Sequence, residues 1–335
     1  MAYTPDTVAL FYDGFETQAL DRPFGMLQSE TRRLARATWR TIRRRQVNTG
    51  FFTAFLNLKS SLEAHGITVR VNDFSYARAH PGEPVGLSGF AKVFERVRLP
   101  NPAVFGPGYV PPPSKVEEVM VACNIKVVTF PSEWPCQMWR GTIGDAAQPM
   151  FVAIDIEAWP DMSDHHKSCD ILVYDKIRWR QAERTEDLRR PLYSALEQRN
   201  LSYRVLRYGE HHIGQFRDAL RHCRAMVFLC EHETQGLAYQ EAMSSGVPIL
   251  AWDEGELVDP HERAFAPPGL VVSSVPYFDA RCGTTFTRET LQQQLEAFLG
   301  DLGTFRPREY VVDTLSPAAG VARYLNLLEQ ASRAK

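Results

Sequence analysis

Cys230-Glu-His-Glu-Thr-Gln-Gly-Leu-Ala-Tyr-Gln-Glu-Ala-Met-Ser-Ser-Gly-Val-Pro-Ile-Leu-Ala-Trp252 leaves one buried strand and enters the next by way of a loop and a helix. The apolar run 225–229 ahead of it reads as a strand ending at Leu229 or Cys230, and 248–252 reads as its successor. Between them a short acidic loop leads into a helix over 237–245 that begins near Gly236. In a parallel sheet this places free backbone N–H groups and the positive end of a helix dipole at the carboxyl edge, which suits an anionic diphosphate. Glu233 precedes the helix and Glu241 lies within it. One carboxylate can therefore reach sugar hydroxyls at the mouth while the other reaches a ribose diol further along.

Upstream, the same grammar repeats. Asp170-Ile-Leu-Val-Tyr174 reads as a strand, followed by a helix near 187–199, a strand at 203–206 and a helix near 213–222. The N-terminal half opens with a strand at 8–12 that runs into Asp13-Gly14. A helix over 48–66 carries Phe51, Phe55, Leu58 and Leu62 at helical spacing, with Asn48 or Thr49 as N-cap and Gly66 at the C-cap. A strand at 67–72 follows, then short apolar runs at 103–105, 126–130 and 149–154 separated by Pro- and Gly-rich loops such as 106–113. Ser132-Glu133-Trp134, after one of these runs, reads as a loop that packs Trp134 in preference to one that faces the cleft. Strand alternating with helix predicts an α/β protein of two Rossmann-like domains facing each other across a cleft. The polar stretch 160–168 sets the boundary, giving domains at 1–160 and 161–335. The last segment, helical through Val321, Leu325 and Leu328, is grouped with the second domain.

The 335 residues suit two domains of about 150 each. With 44% apolar and 23% charged residues the chain has the balance of a soluble globular protein, and a net charge of −2 argues against a nucleic-acid binder. The N-terminus has no basic and apolar leader, and no apolar run approaches the roughly 20 residues of a membrane span. The cysteines at 123, 136, 169, 223, 230 and 282 form no Cys-x-x-Cys pair, so buried free thiols in a reducing cytoplasm are expected. The pairs His165–His166 and His211–His212 point apart on any regular element and predict no metal site. From Arg32 to Arg45 there are seven arginines and no acid, with Ala35, Trp39 and Ile42 on one side of a helix. That pattern fits contact with an anionic membrane, peripheral on its inner face, an acceptor grip, or a plain basic surface.

The stretch quoted first resembles the E-x7-E signature of retaining GT-B glycosyltransferases, those of glycosyl transferases group 1 or family 4. The usual pattern, E-x-F-G-L-x-x-x-E-A-M-x-x-G-x-P-V, is met here at Glu233, Gly236, Leu237, Glu241, Ala242, Met243, Gly246 and Pro248. Gln235 stands where an aromatic residue is usual. The resemblance implies that Glu233 holds donor-sugar hydroxyls and Glu241 the ribose. It also implies that Thr234, Gln235, Gly236 and Leu237 border the diphosphate, with the Gly236 and Leu237 amides facing it. Ala153-Ile-Asp155-Ile-Glu-Ala-Trp159 is similar to the family's G-V-D-x-x-x-F hinge. Asp170-Ile-Leu-Val-Tyr-Asp-Lys176 resembles the strand that opens the second domain, which usually ends in Gly-Arg with a Lys about five residues on. Lys176 takes the Arg place and becomes the diphosphate ligand, with Arg178 as a second cation. If the strand continues, 176 and 178 share a side.

The implied reaction moves a sugar from a nucleoside-diphosphate donor to an acceptor hydroxyl with retention, the acceptor being a glycan, a lipid-linked sugar or a small molecule. No cofactor or metal is expected. The chain lacks Asp-x-Asp, so Lys176, Arg178 and the helix dipole neutralise the leaving group. A GT-B sugar-nucleotide epimerase and a non-catalytic nucleotide-sugar-binding module are the competing readings.

Overall fold

The computed structural model describes residues 5–12 and 50–334. The segment 32–45, the Asp13-Gly14 turn and the proposed cap at Asn48 or Thr49 lie outside the described residues. Two compact units emerge, one of Met1–Ala153 with Pro317–Lys335, the other of Ile154–Ser316.

The first unit is built on a fully parallel sheet of order β2-β1-β3-β4-β5-β6. Its strands are β1 (Thr7–Tyr12), β2 (Thr68–Val71), β3 (Val85–Gly89), β4 (Ala103–Gly108), β5 (Ile125–Phe130) and β6 (Ala147–Pro149). The last of these corrects the strand read at 149–154, because only its first residue pairs. Ser132 stands at the N-cap of a helix, Glu133–Ile143, that buries Trp134, so the expected loop is a helix start. The helix Gly50–Ala64 lays Phe52, Phe55, Leu58 and Leu62 on the sheet.

Onto the same apolar layer comes the C-terminal helix Pro317–Arg333, through Val321, Tyr324, Leu327, Leu328 and Ala331. This corrects its grouping with residues 161–316. Its buried stripe completes the core over β4 and β5, and the chain leaves the second unit at Ser316.

The second unit carries another all-parallel sheet of order β11-β10-β9-β7-β8. It comprises β7 (Cys169–Asp175), β8 (Tyr203–Arg207), β9 (Cys223–Leu229), β10 (Ile249–Trp252) and β11 (Gly283–Phe286). One face is sealed by Leu188, Leu192, Leu196, Leu295 and Phe298. On the other the rings of Tyr174, Phe216, Phe228 and Tyr239 pack together at centroid distances of 5.3–6.0 Å. The six cysteines are free and buried. No helix among the described residues is long and apolar enough to cross a membrane.

Candidate functional site

In the second sheet β7 runs to β8 on one side while β9 lies on the other, so the strand order reverses between β7 and β9. Ligands of doubly wound sheets bind outside the carboxyl ends of the strands at such a point, because the two following loops diverge and leave a crevice. Here the diverging loops begin at Lys176 and at Cys230. They stay tied at the root, where the Lys176 N–H donates to the Leu229 carbonyl at 2.8 Å.

The strand stops at Asp175 for a local reason. Arg189 grips its buried carboxylate with Nε at 2.7 Å and Nη2 at 3.0 Å, and Asp175 Oδ1 accepts from the Ile177 N–H at 3.2 Å. This closes a turn, so the strand does not continue and the side-sharing expected of 176 and 178 does not hold. Arg178 is exposed. Its guanidinium donates to the His232 carbonyl at 2.7 Å and lies 4.3 Å over the Trp179 ring. The carboxylate of Glu231, a residue the motif leaves unspecified, accepts from the backbone N–H of Arg178 and Trp179 at 3.0–3.2 Å. An acid of the second loop thus fixes the path of the first.

Lys176 turns the other way. Its ammonium pairs with Glu233 and sits 4.5 Å over the ring of Tyr208, which follows β8. The two side chains keep only 14% and 9% of their surface in water. Glu233 is held from behind as well. Its N–H donates to the Ser273 carbonyl at 3.0 Å, and Ser273 Oγ donates to Asp253 at 2.6 Å, just beyond β10. The buried Cys230 thiol donates to the Glu233 carboxylate at 3.4 Å.

The turn into the helix Leu237–Ser244 is made at Gly236, which has φ +85°. A Cβ there would overlap the ring of Tyr239, so the position requires glycine twice over. Gln235 is buried and closed on Gln240, donating to its Oε1 at 2.9 Å while its carbonyl accepts back at 3.0 Å. Thr234 is half-buried and Leu237 exposed at the helix start.

The carboxylate of Glu241, one turn into the helix, has no hydrogen-bond or ion-pair partner among the described residues. Burial pushes its pKa up to about 7, which the charge of Arg217 opposes. Arg217 itself is engaged elsewhere, 4.8 Å over the Trp159 ring and bonded to the Ala158 carbonyl at 3.4 Å. Tyr174 is raised by burial and then by Glu241, so its hydroxyl shares this recess. His232 is driven down to about 4 by burial and by Arg178, and its ring stacks on Trp179 at 5.2 Å.

Lys176 and Glu233 therefore meet directly. Arg178 lies along the adjoining loop, and Glu241 lies one turn into the helix, near Tyr174. No cluster of three His, Cys, Asp or Glu side chains able to hold a metal occurs among the described residues. Sequence reasoning missed Tyr208 and Glu231. Both follow strand ends at the carboxyl edge, and Glu231 shares the acidic loop with Glu233; those are the signals that could have found them.

Comparison with solved structures follows the same outline. Sucrose-phosphate synthase from Thermosynechococcus elongatus is matched over 97% of this chain and 98% of its own, at 12% identity and a TM-score of 0.51. The fold is GT-B. A lipopolysaccharide outer core galactosyltransferase is covered to the same extent, at 12% identity and a TM-score of 0.48. The S. aureus protein TarM, 15% identical with a TM-score of 0.43, is matched over 64% of this chain. This chain spans 46% of TarM. No protein-family model matches the chain, and no curated protein matches it.

Proposed function

We propose that the chain is a glycosyltransferase that moves a sugar from a nucleoside-diphosphate donor to an acceptor hydroxyl, with retention and without a metal. The observation that carries this reading is the set of charges gathered at the carboxyl edge beside the β7–β9 reversal. Lys176 pairs with Glu233 there, and the helix Leu237–Ser244 begins in the same loop and carries Glu241 one turn in. A nucleotide sugar offers complementary groups in its sugar hydroxyls, diphosphate and ribose diol. Glu233 receives the sugar hydroxyls, Lys176 with Arg178 the diphosphate, and Glu241 the ribose. Thr234, Gln235, Gly236 and Leu237 border the phosphates.

In the reaction, the bond from the anomeric carbon to the diphosphate oxygen breaks, the acceptor oxygen bonds to that carbon, and the acceptor's hydroxyl proton passes to the departing diphosphate. Negative charge grows on the departing diphosphate, so a cation already in place stabilises the transition state more than the ground state. The supporting GT-B architecture is common to this reading and to any other use of a nucleotide sugar. The decisive experiment is a thermal-shift screen with UDP-, GDP-, ADP- and dTDP-sugars, followed by product analysis with and without acceptors. Stabilisation by one donor class and transfer to an acceptor are expected. A folded protein that no nucleotide sugar stabilises would sink the reading.

A further inference from the structure

Lys176 and Glu233 reach each other from the two loops that diverge at the strand-order reversal, and Tyr208 closes the third side from the loop after β8. The ammonium that should meet the diphosphate is therefore already neutralised by the carboxylate that should meet the sugar. Both are largely out of water, so the pair is screened little.

We infer that Glu233 is a tethered anion that competes with the diphosphate for Lys176, and that the crevice thereby favours the sugar-bearing donor over the spent nucleoside diphosphate. This rests on the proposed reading of the site. A diphosphate entering the crevice brings negative charge against Glu233 and must displace it from the ammonium. With an intact donor, the released carboxylate finds new partners in the sugar hydroxyls, so one ion pair is exchanged for a lysine–phosphate pair and carboxylate–hydroxyl bonds. A nucleoside diphosphate lacks those hydroxyls, so its binding displaces Glu233 from Lys176 without giving the carboxylate those new bonds. After transfer, Glu233 can return to Lys176 and help the product leave.

The pair is built for return rather than for permanent displacement. The Glu233 backbone stays fastened to Ser273, and through it to Asp253, while only the side chain bears on Lys176. Tyr208 gives the ammonium a second, uncharged seat, so the lysine need not move when its counter-ion changes.

Calorimetric titration of UDP, GDP, ADP and dTDP, and of the sugar donor that the screen selects, tests this in metal-free buffer. In the wild-type protein the sugar donor should bind more tightly than its nucleoside diphosphate. Glu233→Gln, isosteric and uncharged, should bind the nucleoside diphosphate about tenfold more tightly than wild type while losing the preference for the sugar donor. Adding Lys176→Met to that variant should abolish the gain. Equal or weaker nucleoside-diphosphate binding in Glu233→Gln, with circular dichroism showing it folded, overturns the competition. So does a wild-type protein that holds the nucleoside diphosphate as tightly as the donor, a measurement that needs no variant. If neither protein binds any of the four diphosphates, the donor-site reading itself falls with the inference.

Discussion

The two ends of the segment from Cys230 to Ser244 treat a glutamate in opposite ways. Glu233 faces an ammonium, a thiol donor and a fastened backbone. Glu241, eight residues on by sequence, is half-buried, its carboxylate has no partner among the described residues, and burial pushes its pKa up to about 7. A protein gains nothing in stability from a half-buried carboxylate that no side chain pairs, so the second end is the stronger pointer to a ligand. The first end shows a pair that folding alone could justify. Function there has to be argued from what the pair would exchange for.

The largest effect should come from removing the cation. Lys176→Ala should cut turnover by at least about 10²-fold, the usual loss when one transition-state charge stabiliser is deleted. Arg178→Ala should do less, because its guanidinium is spent on the His232 carbonyl and the Trp179 ring. Steady-state kinetics on both variants decide it. Near-normal turnover in Lys176→Ala would move the phosphate site elsewhere, and equal losses would make the two a clamp.

Next comes Glu241. Glu241→Gln should weaken donor binding by about 1.5–3 kcal/mol, the range for a hydrogen bond to a charged group. A ribose diol donating to the carboxylate favours its ionised form, so binding should release a proton below the folded pKa of about 7. Donor affinity in the wild type should thus fall by up to about tenfold per pH unit below neutrality and level off above it. The phosphates of a nucleotide sugar do not titrate in this range. His232, at about 4, is neutral throughout it, and burial holds His211 below its ordinary value. A Glu241→Gln variant with the wild-type pH slope would assign the titration to another group.

The same substitution at the two carboxylates should also move stability in opposite directions. Glu233→Gln leaves Lys176 without its counter-charge and should cost about 1–2 kcal/mol. At Glu241 the folded pKa is raised above the unfolded one, so its stability term is complete below about pH 4.5 and is lost as pH rises through about 7. Glu241→Gln should therefore melt higher than wild type at pH 8 and no higher at pH 4. Thermal melts at the two pH values check this. Two shifts of the same sign would erase the contrast between the ends.

Much of the second unit was legible because its strands are apolar runs closed by turns, and β7, β9 and β10 fall close to where those runs predict them. Two strands escaped that reading for one physical reason. β3 is Val-Gly-Leu-Ser-Gly, and its Gly86 has no room for a Cβ beside the Tyr324 hydroxyl. β11 begins at Gly283, whose Cβ would strike the Ile249 carbonyl. In both, close packing from a distant segment set the residue, and propensity sees no strand in a glycine. The C-terminal helix shows a related limit. Its apolar spacing specifies a buried face, but not that Tyr324 and Leu328 bear on the first sheet. At the site, the motif carried the carboxylates, and Lys176 came from the resemblance of 170–176 to the strand that opens the family's second domain. Tyr208 and Glu231 follow strand ends, which marks them as candidates, but their roles arise only where the loops after β7, β8 and β9 converge.

The smallest expected effect is the response to chelation, and it tests whether the Lys176 end suffices. A diphosphate leaving group needs its developing charge met, by a bound cation or by protein groups. In this chain Asp-x-Asp is absent, and the crevice supplies one ammonium, a nearby guanidinium and the N–H groups at Gly236 and Leu237. If these carry the charge, turnover in millimolar EDTA should stay within about twofold of the untreated rate, far less than the loss expected for Lys176→Ala. The two measurements constrain each other. A metal-dependent enzyme would lose activity in EDTA, regain it with Mn²⁺ or Mg²⁺, and tolerate Lys176→Ala better when the metal is saturating. That outcome would make Lys176 the partner of Glu233 alone, and the contrast between the two carboxylates would then be one of folding rather than of donor recognition.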